Sequence, residues 1–320
     1  MSRLEKIIRN NPPVRFISRE TKKIFLPGFE GISLYDVLVF FNKQVQKVGL
    51  NDRARSIAFS FLMAIPAATI FICTLIPYLP VSKKLTRQLL MLTREITPNQ
   101  NTYQLVSDFL NDFLNKPRGG LLSLGLVVAL FYASNAMLGM MRSFNKSLTH
   151  HAKRSFLENR IIAIRLTLVM IMLLIGSVVI LVTQDELLRL ILRELKIRSH
   201  TMRGLFKTLR WVVIIPLFYF SIAFIYRHAP AVNEKWKLFS PGTILATGLM
   251  ILVTFAFSFW VNKFGTYNKV YGSIGTIMIL MIVIYINSMI LLVGYELNVS
   301  IHSLKQKAFG RDARVQTPIP

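Results

Sequence analysis

Of 320 residues, 53% are apolar and 17% charged, a balance outside the ordinary globular range that suits a chain using lipid as solvent. Lys and Arg outnumber Asp and Glu 39 to 15, a net charge of +24, but the cations are spread over tails and loops on both sides of the apolar runs. That spread disfavours nucleic acid and suits anionic lipid head groups, while the single cysteine, Cys73, excludes an intrachain disulfide and a cysteine-based metal site.

Residues 1–56 are expected to form a basic cytoplasmic tail. The first 30 residues hold seven Lys or Arg and no apolar run of signal-peptide length, so the first spanning helix is expected to target the chain. Within the tail, Leu34, Val37, Leu38, Phe41, Val45 and Val48 recur at three- and four-residue spacing after a possible Ser33 cap. The pattern predicts an amphipathic helix lying on the membrane.

A helix needs about 20 apolar residues to cross about 30 Å of hydrocarbon. Runs of that kind cover about 57–79, 119–141, 161–182, 242–261 and 273–297. A sixth, 211–226, is shorter, but Arg210 and Arg227 could snorkel to the interfaces and complete it. The expected architecture is therefore an all-α integral membrane protein with six transmembrane helices in 57–298, additional interfacial helices, and a basic C-terminal tail over 299–320. Stripes at Val106, Phe109, Leu110, Phe113, Leu114 and at Leu187, Leu188, Ile191, Leu195 predict two more interfacial helices. Residues 311–320 read as disordered. With six spans, the tails and the two loops on their side carry 23 basic residues against 15 on the other side. Both termini are then expected inside.

No catalytic signature emerges. The five histidines make no His-x-His or His-Glu-x-x-His spacing and there is no phosphate-binding Gly-rich loop, so no enzyme activity, metal or cofactor is expected. Charges inside the spans are costly and usually have a reason. Arg165 lies about 6 Å into the third span and Glu296 about 35 Å along the last; the two could pair, or Arg165 could hold a lipid phosphate. The basic loop 142–160, with Arg142, Asn145, Lys146, Arg154 and Arg160, suits phosphate groups. Pro66 and Pro216 interrupt the first and fourth spans and could open polar backbone toward a cavity. Gly242 and Ala246 allow close approach of a neighbouring helix. In the last hairpin, the glycines between Asn262 and Gly275 are expected to permit a tight reversal, and Phe264, Tyr267 and Tyr271 suit an aromatic belt.

That hairpin, Phe264-Gly265-Thr266-Tyr267-Asn268-Lys269-Val270-Tyr271-Gly272-Ser273-Ile274-Gly275, closed by Gly294-Tyr295-Glu296-Leu297-Asn298, resembles the signature of the YihY/virulence factor BrkB family. Ser134, Arg142, Phe144, Asn145, Arg154-Ser-Phe and Arg160 resemble its second span and loop, and Tyr226-Arg227-His228-Ala229-Pro230 resembles its segment before the fifth span. The resemblance runs from about Arg53 to Asn298. It implies a multi-pass protein of the bacterial inner (plasma) membrane with cytoplasmic termini, and it points to Pro230, Asn262, Asn268, Gly272 and Asn298 as structural or cavity-lining residues. Some members have carried a ribonuclease BN label; the zinc-nuclease pattern His-x-His-x-Asp-His is absent here, which argues against that activity. Other members are linked to serum resistance and lipid trafficking. Transport of anionic phospholipid is the expected function, a scaffold of envelope biogenesis the alternative, and a homo-oligomer or envelope protein the possible partner.

Overall fold

The computed structural model of the chain describes residues 21–78, 90–91, 100–115, 119–148, 154–194, 200–232, 235–263 and 265–315. Among the described residues, the α-helices in order are α1 (Leu34–Val48), α2 (Leu50–Leu75), α3 (Gln100–Asn115), α4 (Gly119–Asn145), α5 (Phe156–Glu194), α6 (His200–His228), α7 (Pro241–Lys263) and α8 (Gly265–Val315). Helix is the expected answer wherever backbone groups lie in hydrocarbon, because each helix satisfies its own N–H and C=O groups. Among the described residues, α2, α4, α5, α7 and α8 contain stretches long and apolar enough to cross a membrane. The described apolar part of α6, Ile214–His228, is shorter.

Ser33 caps α1 as expected: its Oγ accepts from the Asp36 amide at 3.2 Å and donates to the Asp36 carboxylate at 2.7 Å. Gly49 ends the helix at φ 63°, a left-handed conformation that glycine adopts without steric cost, and α2 begins at the next residue. The apolar stripe of α1 is divided. Val37 is fully buried with Phe29, Leu297 and Ile301, so part of the stripe grips the C-terminal half of α8, while Leu38 and Val39 stay exposed.

Four expectations about boundaries are corrected. The loop expected over 262–272 shrinks to one position, since α7 runs to Lys263 and α8 starts at Gly265, while the tight reversal expected there stands, with Gly242 of α7 meeting Gly294 and Asn298 of α8. The expected last span, 273–297, is the middle of a 51-residue helix, so residues 299–315 continue it and Arg311–Val315 are helical rather than disordered. The third span likewise extends without a break to Glu194, which places Leu187, Leu188 and Ile191 on α5 and not on a separate interfacial helix; Leu195 lies outside the described residues. The fourth span belongs to a 29-residue helix beginning at His200. In each case helical hydrogen bonding continues beyond the apolar stretch, since polar flanks break a hydropathy run without breaking a helix. The stripe 106–114 does lie on a helix of its own, α3.

Helix α2 lies along α4, and α8 packs on both α2 and α7; α5 joins α4 to α6, and α1 rests on α8. Small residues set the α2–α4 approach: a side chain at Gly139 would collide with Ser60 Oγ, and one at Gly125 would touch the Phe71 backbone. The main buried cluster gathers Ile57, Met140, Met141, Phe144, Leu166, Ile225, Tyr226, Leu292 and Tyr295. These positions lie at the start of α2 and α5, the ends of α4 and α6, and the middle of α8. They define one tightly packed end of the bundle, here called basal, on the side of α1.

Toward the opposite, apical end burial is lost on α6, α7 and α8, whereas α2 and α4 stay in contact there through Thr74, Gly125 and Ala129. On α7, residues 242–250 include buried Gly242, Thr243, Ala246, Thr247 and Met250, whereas none of residues 251–259 is buried on any face. On α8 no residue from 278 to 287 is buried, and on α6 none from 214 to 220.

Candidate functional site

The basal end is held by polar groups. Arg53, on the first turn of α2, is buried and donates from Nη1 to Glu296 Oε1 at 2.6 Å. Its Nη2 donates to Ser147 Oγ at 2.7 Å and to the Ser143 carbonyl, while Ser147 Oγ donates onward to Glu296 Oε1. One arginine thus ties α2, the end of α4 and the middle of α8 together. Two charges out of water are tolerated only when paired and hydrogen-bonded, and the loss of one partner costs about 3–5 kcal/mol. The network is not fully satisfied. Arg53 Nε, Glu296 Oε2, the Tyr295 hydroxyl and Trp236 Nε1 are buried without a hydrogen-bond partner among the described residues.

Aromatic rings seal the pair. Tyr295 stacks on Phe144 with centroids 4.0 Å apart and planes 9° from parallel, and Trp236 leans on Tyr295 at 5.1 Å. Tyr226 packs edge-on to Phe144 and donates to the Leu291 carbonyl at 2.6 Å. Beside them, α7 and α8 meet backbone to backbone: a side chain at Gly294 would strike the Gly242 carbonyl, Ala246 Cβ and Tyr226 Oη. Asn298 bridges the contact, accepting from the Gly242 amide at 2.8 Å and donating to Ser240 Oγ at 2.9 Å.

The connection between α6 and α7 is clamped from the other side. Arg154 donates to the Ala229 and Pro230 carbonyls at 3.2 and 2.8 Å, and Asn145 Oδ1 accepts from the Ala231 amide at 2.9 Å. Burial lowers the Arg154 pKa from its ordinary value, with Glu158 acting in the opposite direction. Arg160 donates to Asn135 and lies over the Phe131 ring at 4.6 Å.

The structure therefore joins Asn145, Arg154 and Pro230 in one clamp and places Glu296 and Asn298 in two other contacts on α8, each engaged by groups of the chain itself. Glu296 pairs with Arg53 and not with Arg165, which sits on an exposed position of α5; Arg142 and Lys146 are exposed at the end of α4. Pro66 and Pro216 lie inside α2 and α6 at exposed positions. The side chains of Asn262, Tyr267, Asn268 and Tyr271, and the surroundings of Gly272, lie outside the described part of the structure. Sequence reasoning missed Arg53, Ser143, Ser147, Tyr295 and Trp236. A signal for Arg53 was present: it shares a helical face with Ile57, while Arg55, two residues on, is exposed and pairs with Asp52.

Among known proteins, the virulence factor BrkB family matches residues 41–318. The chain belongs to the virulence factor BrkB family. Its similarity to a ribonuclease-like protein YfkH of Bacillus subtilis (strain 168) is 32% identity over 257 residues, 80% of this chain and 91% of that one. A UPF0761 membrane protein of Haemophilus influenzae (strain 86-028NP) is 23% identical over 269 residues, covering 83% of this chain and 95% of its own length. No solved structure matches. The match spans every helix from α2 to α8 and the end of α1, so the Arg53–Glu296 pair falls within the BrkB domain. Among the described residues of this BrkB-family chain, no group of three His, Cys, Asp or Glu side chains is placed to hold a metal ion.

Proposed function

We propose that this BrkB-family chain is a non-enzymatic, six-span protein of the bacterial inner membrane that facilitates movement of anionic lipid between leaflets. The carrying observation is the loss of burial along α6, α7 and α8. Their basal halves pack around Tyr226, Gly242 and Gly294, while apical positions such as Phe218, Leu252, Met281 and Ile282 are exposed and apolar. Helices that part toward one side of the membrane leave a lipid-facing opening suited to acyl chains, and a polar lock at the other side closes it. In this reading α6 is the sixth span, with Trp211–Val213 and Arg210 extending Ile214–His228 to the interface. The basal end faces the cytoplasm, following the Lys and Arg excess, and exposed Arg142, Lys146 and Arg165 attract anionic head groups to its rim.

The test is reconstitution into liposomes carrying a fluorescent phosphatidylglycerol, with bleaching of outer-leaflet label by a membrane-impermeant reductant. The reading expects a second bleaching phase that scales with protein and is weaker for labelled phosphatidylcholine. Equal kinetics with folded protein and with empty vesicles would overturn it. The name of the Bacillus relative refers to ribonuclease; the reading assigns this chain no such activity. Divalent-metal-dependent RNA cleavage that persists through purification would contradict that assignment.

A scaffold role is favoured by one feature, a groove of about 760 Å³ beside α1 lined by Lys22, Phe25, Val39, Phe40, Lys43 and Lys307. Its mixed basic and apolar lining suits an acidic amphipathic segment of another envelope protein. Crosslinking in cells from position 39 would yield one reproducible heavier species in that case, and none if the groove is unused.

A further inference from the structure

At the basal surface, next to the aromatic seal, a cavity of about 200 Å³ opens between the strap 28–30, the segment 235–241 and the face of α8 from Asn298 to Lys305. Its lining carries Lys235, Lys237, Lys305 and His302 against one acid, Glu30. Pro241 at its edge begins the 23-residue helix α7, whose amino end adds positive potential.

Glu30 reaches across this basic wall. Its carboxylate is 2.6 Å from Lys305 Nζ and 3.6 Å from Lys237 Nζ. It does so from a left-handed backbone conformation, φ 53°, the only such non-glycine residue among those described. A carboxylate held on a strained residue between two lysines is an internal substitute for an external anion. The floor is Trp236, whose Nε1 is buried without a partner among the described residues and whose ring leans on Tyr295 at 5.1 Å. Whatever occupies the cavity is thus one ring removed from the stack that covers Arg53 and Glu296.

We infer that this cavity is a phosphate-binding site in which Glu30 stands in for the ligand, so that an incoming phosphate displaces it from Lys237 and Lys305. The inference rests on the lipid reading for its biological setting but not for its chemistry. A phosphate group offers more acceptor oxygens than a carboxylate, enough to engage Lys235 and His302 together with the two lysines that Glu30 now bridges.

Binding is measured on the full-length chain in detergent, where no leaflets exist. Inorganic phosphate and short-chain dihexanoyl phosphatidic acid are titrated separately, read by tryptophan fluorescence with Trp236→Phe as the blank; Trp211 and Trp260 remain in that variant. A saturable signal lost in the blank is expected. Lys237→Ala should weaken binding about tenfold, the worth of one charged contact, and Glu30→Gln should tighten it by a similar factor. Lys237→Arg should stay within about twofold, since the charge is kept. Saturation by the lipid alone identifies a head-group site; saturation by both probes identifies a site for phosphate in general. No saturable signal from either probe, or constants unchanged in both Lys237→Ala and Glu30→Gln, would overturn the inference. Phosphate binding without lipid flipping would refute translocation and leave this site standing. Flipping without phosphate binding would do the reverse.

Discussion

Arg53 and Glu296 stand 243 positions apart in the chain and meet at 2.6 Å in the buried basal end of the bundle. The pair joins the first and last membrane helices of the BrkB domain, and α4 reaches both charges through Ser143 and Ser147. Closing the domain with one ion pair makes the basal end strong while both charges are present and weak when either is missing.

Single neutralisation is therefore expected to be severe. Glu296→Gln or Arg53→Met should each lower stability by about 3–5 kcal/mol, and the double variant Arg53→Met/Glu296→Leu should recover at least half of that loss. Thermal unfolding in detergent, followed by tryptophan fluorescence, checks the cycle. Additive losses in the double variant would mean that the two residues act independently.

The α7–α8 crossing depends on the absence of side chains. Gly294→Ala should destabilise by about 1–3 kcal/mol, because the new methyl meets the Gly242 carbonyl, Ala246 and Tyr226 at once. Gly248→Ala, where nothing lies within 4 Å, serves as the control and should be neutral or slightly stabilising. Equal melting shifts for the two variants would contradict the close approach.

Asn298 spans the same crossing with hydrogen bonds. Asn298→Ala leaves the buried Gly242 amide without its acceptor, a cost of about 1–3 kcal/mol. Asn298→Asp keeps an acceptor for that amide but buries a carboxyl group, so its melting shift should approach that of Asn298→Ala at neutral pH and shrink as acid protonates it. A shift for Asn298→Asp that acid leaves unchanged would remove Gly242 from the account.

Much of this was legible in the sequence, and the failures have physical causes. The five apolar runs and the capped α1 followed from hydropathy and helical spacing, and Glu296 stood out because a carboxylate in an apolar run is costly. Its partner escaped because Arg53 precedes the first run, where a cation looks like ordinary topology marking; only its helical phase sets it apart from exposed Arg55. The reversal expected at 262–275 takes place, but with one non-helical position in place of a loop over 262–272, because the helix supplies hydrogen bonds that an apolar surrounding does not, which outweighs the poor helix propensity of Gly265, Gly272 and Gly275. Asn145 and Arg154 were singled out as phosphate contacts for their chemistry, yet they hold the 229–231 backbone, which offers the same kind of acceptors and donors nearer to hand.

Acid should release the strap. The hydrogen bond from Lys305 is the largest influence on Glu30 and, with the nearby charge of Lys237, lowers its pKa below the ordinary value despite partial burial. A group depressed in the folded state contributes stability above its unfolded pKa and loses it as pH falls through the folded value. A change in Trp236 fluorescence is therefore expected with a midpoint below that of an ordinary glutamate carboxyl, and it should vanish in Glu30→Gln. A midpoint above that value, or one that persists in the variant, would separate Glu30 from the cavity.

The proposed opening requires that α6, α7 and α8, packed at the basal end, part toward the apical end. Spin labels placed singly from residue 242 to 259 on α7, in reconstituted bilayers, report their exposure to dissolved oxygen by power saturation. The account predicts deep minima at Thr243, Ala246, Thr247 and Met250 at helical spacing, and only shallow ones at half-buried positions such as Val253 and Phe257 from 251 to 259. Minima of undiminished depth continuing through 259 would mean that the apical halves are packed, and the proposed opening would not exist.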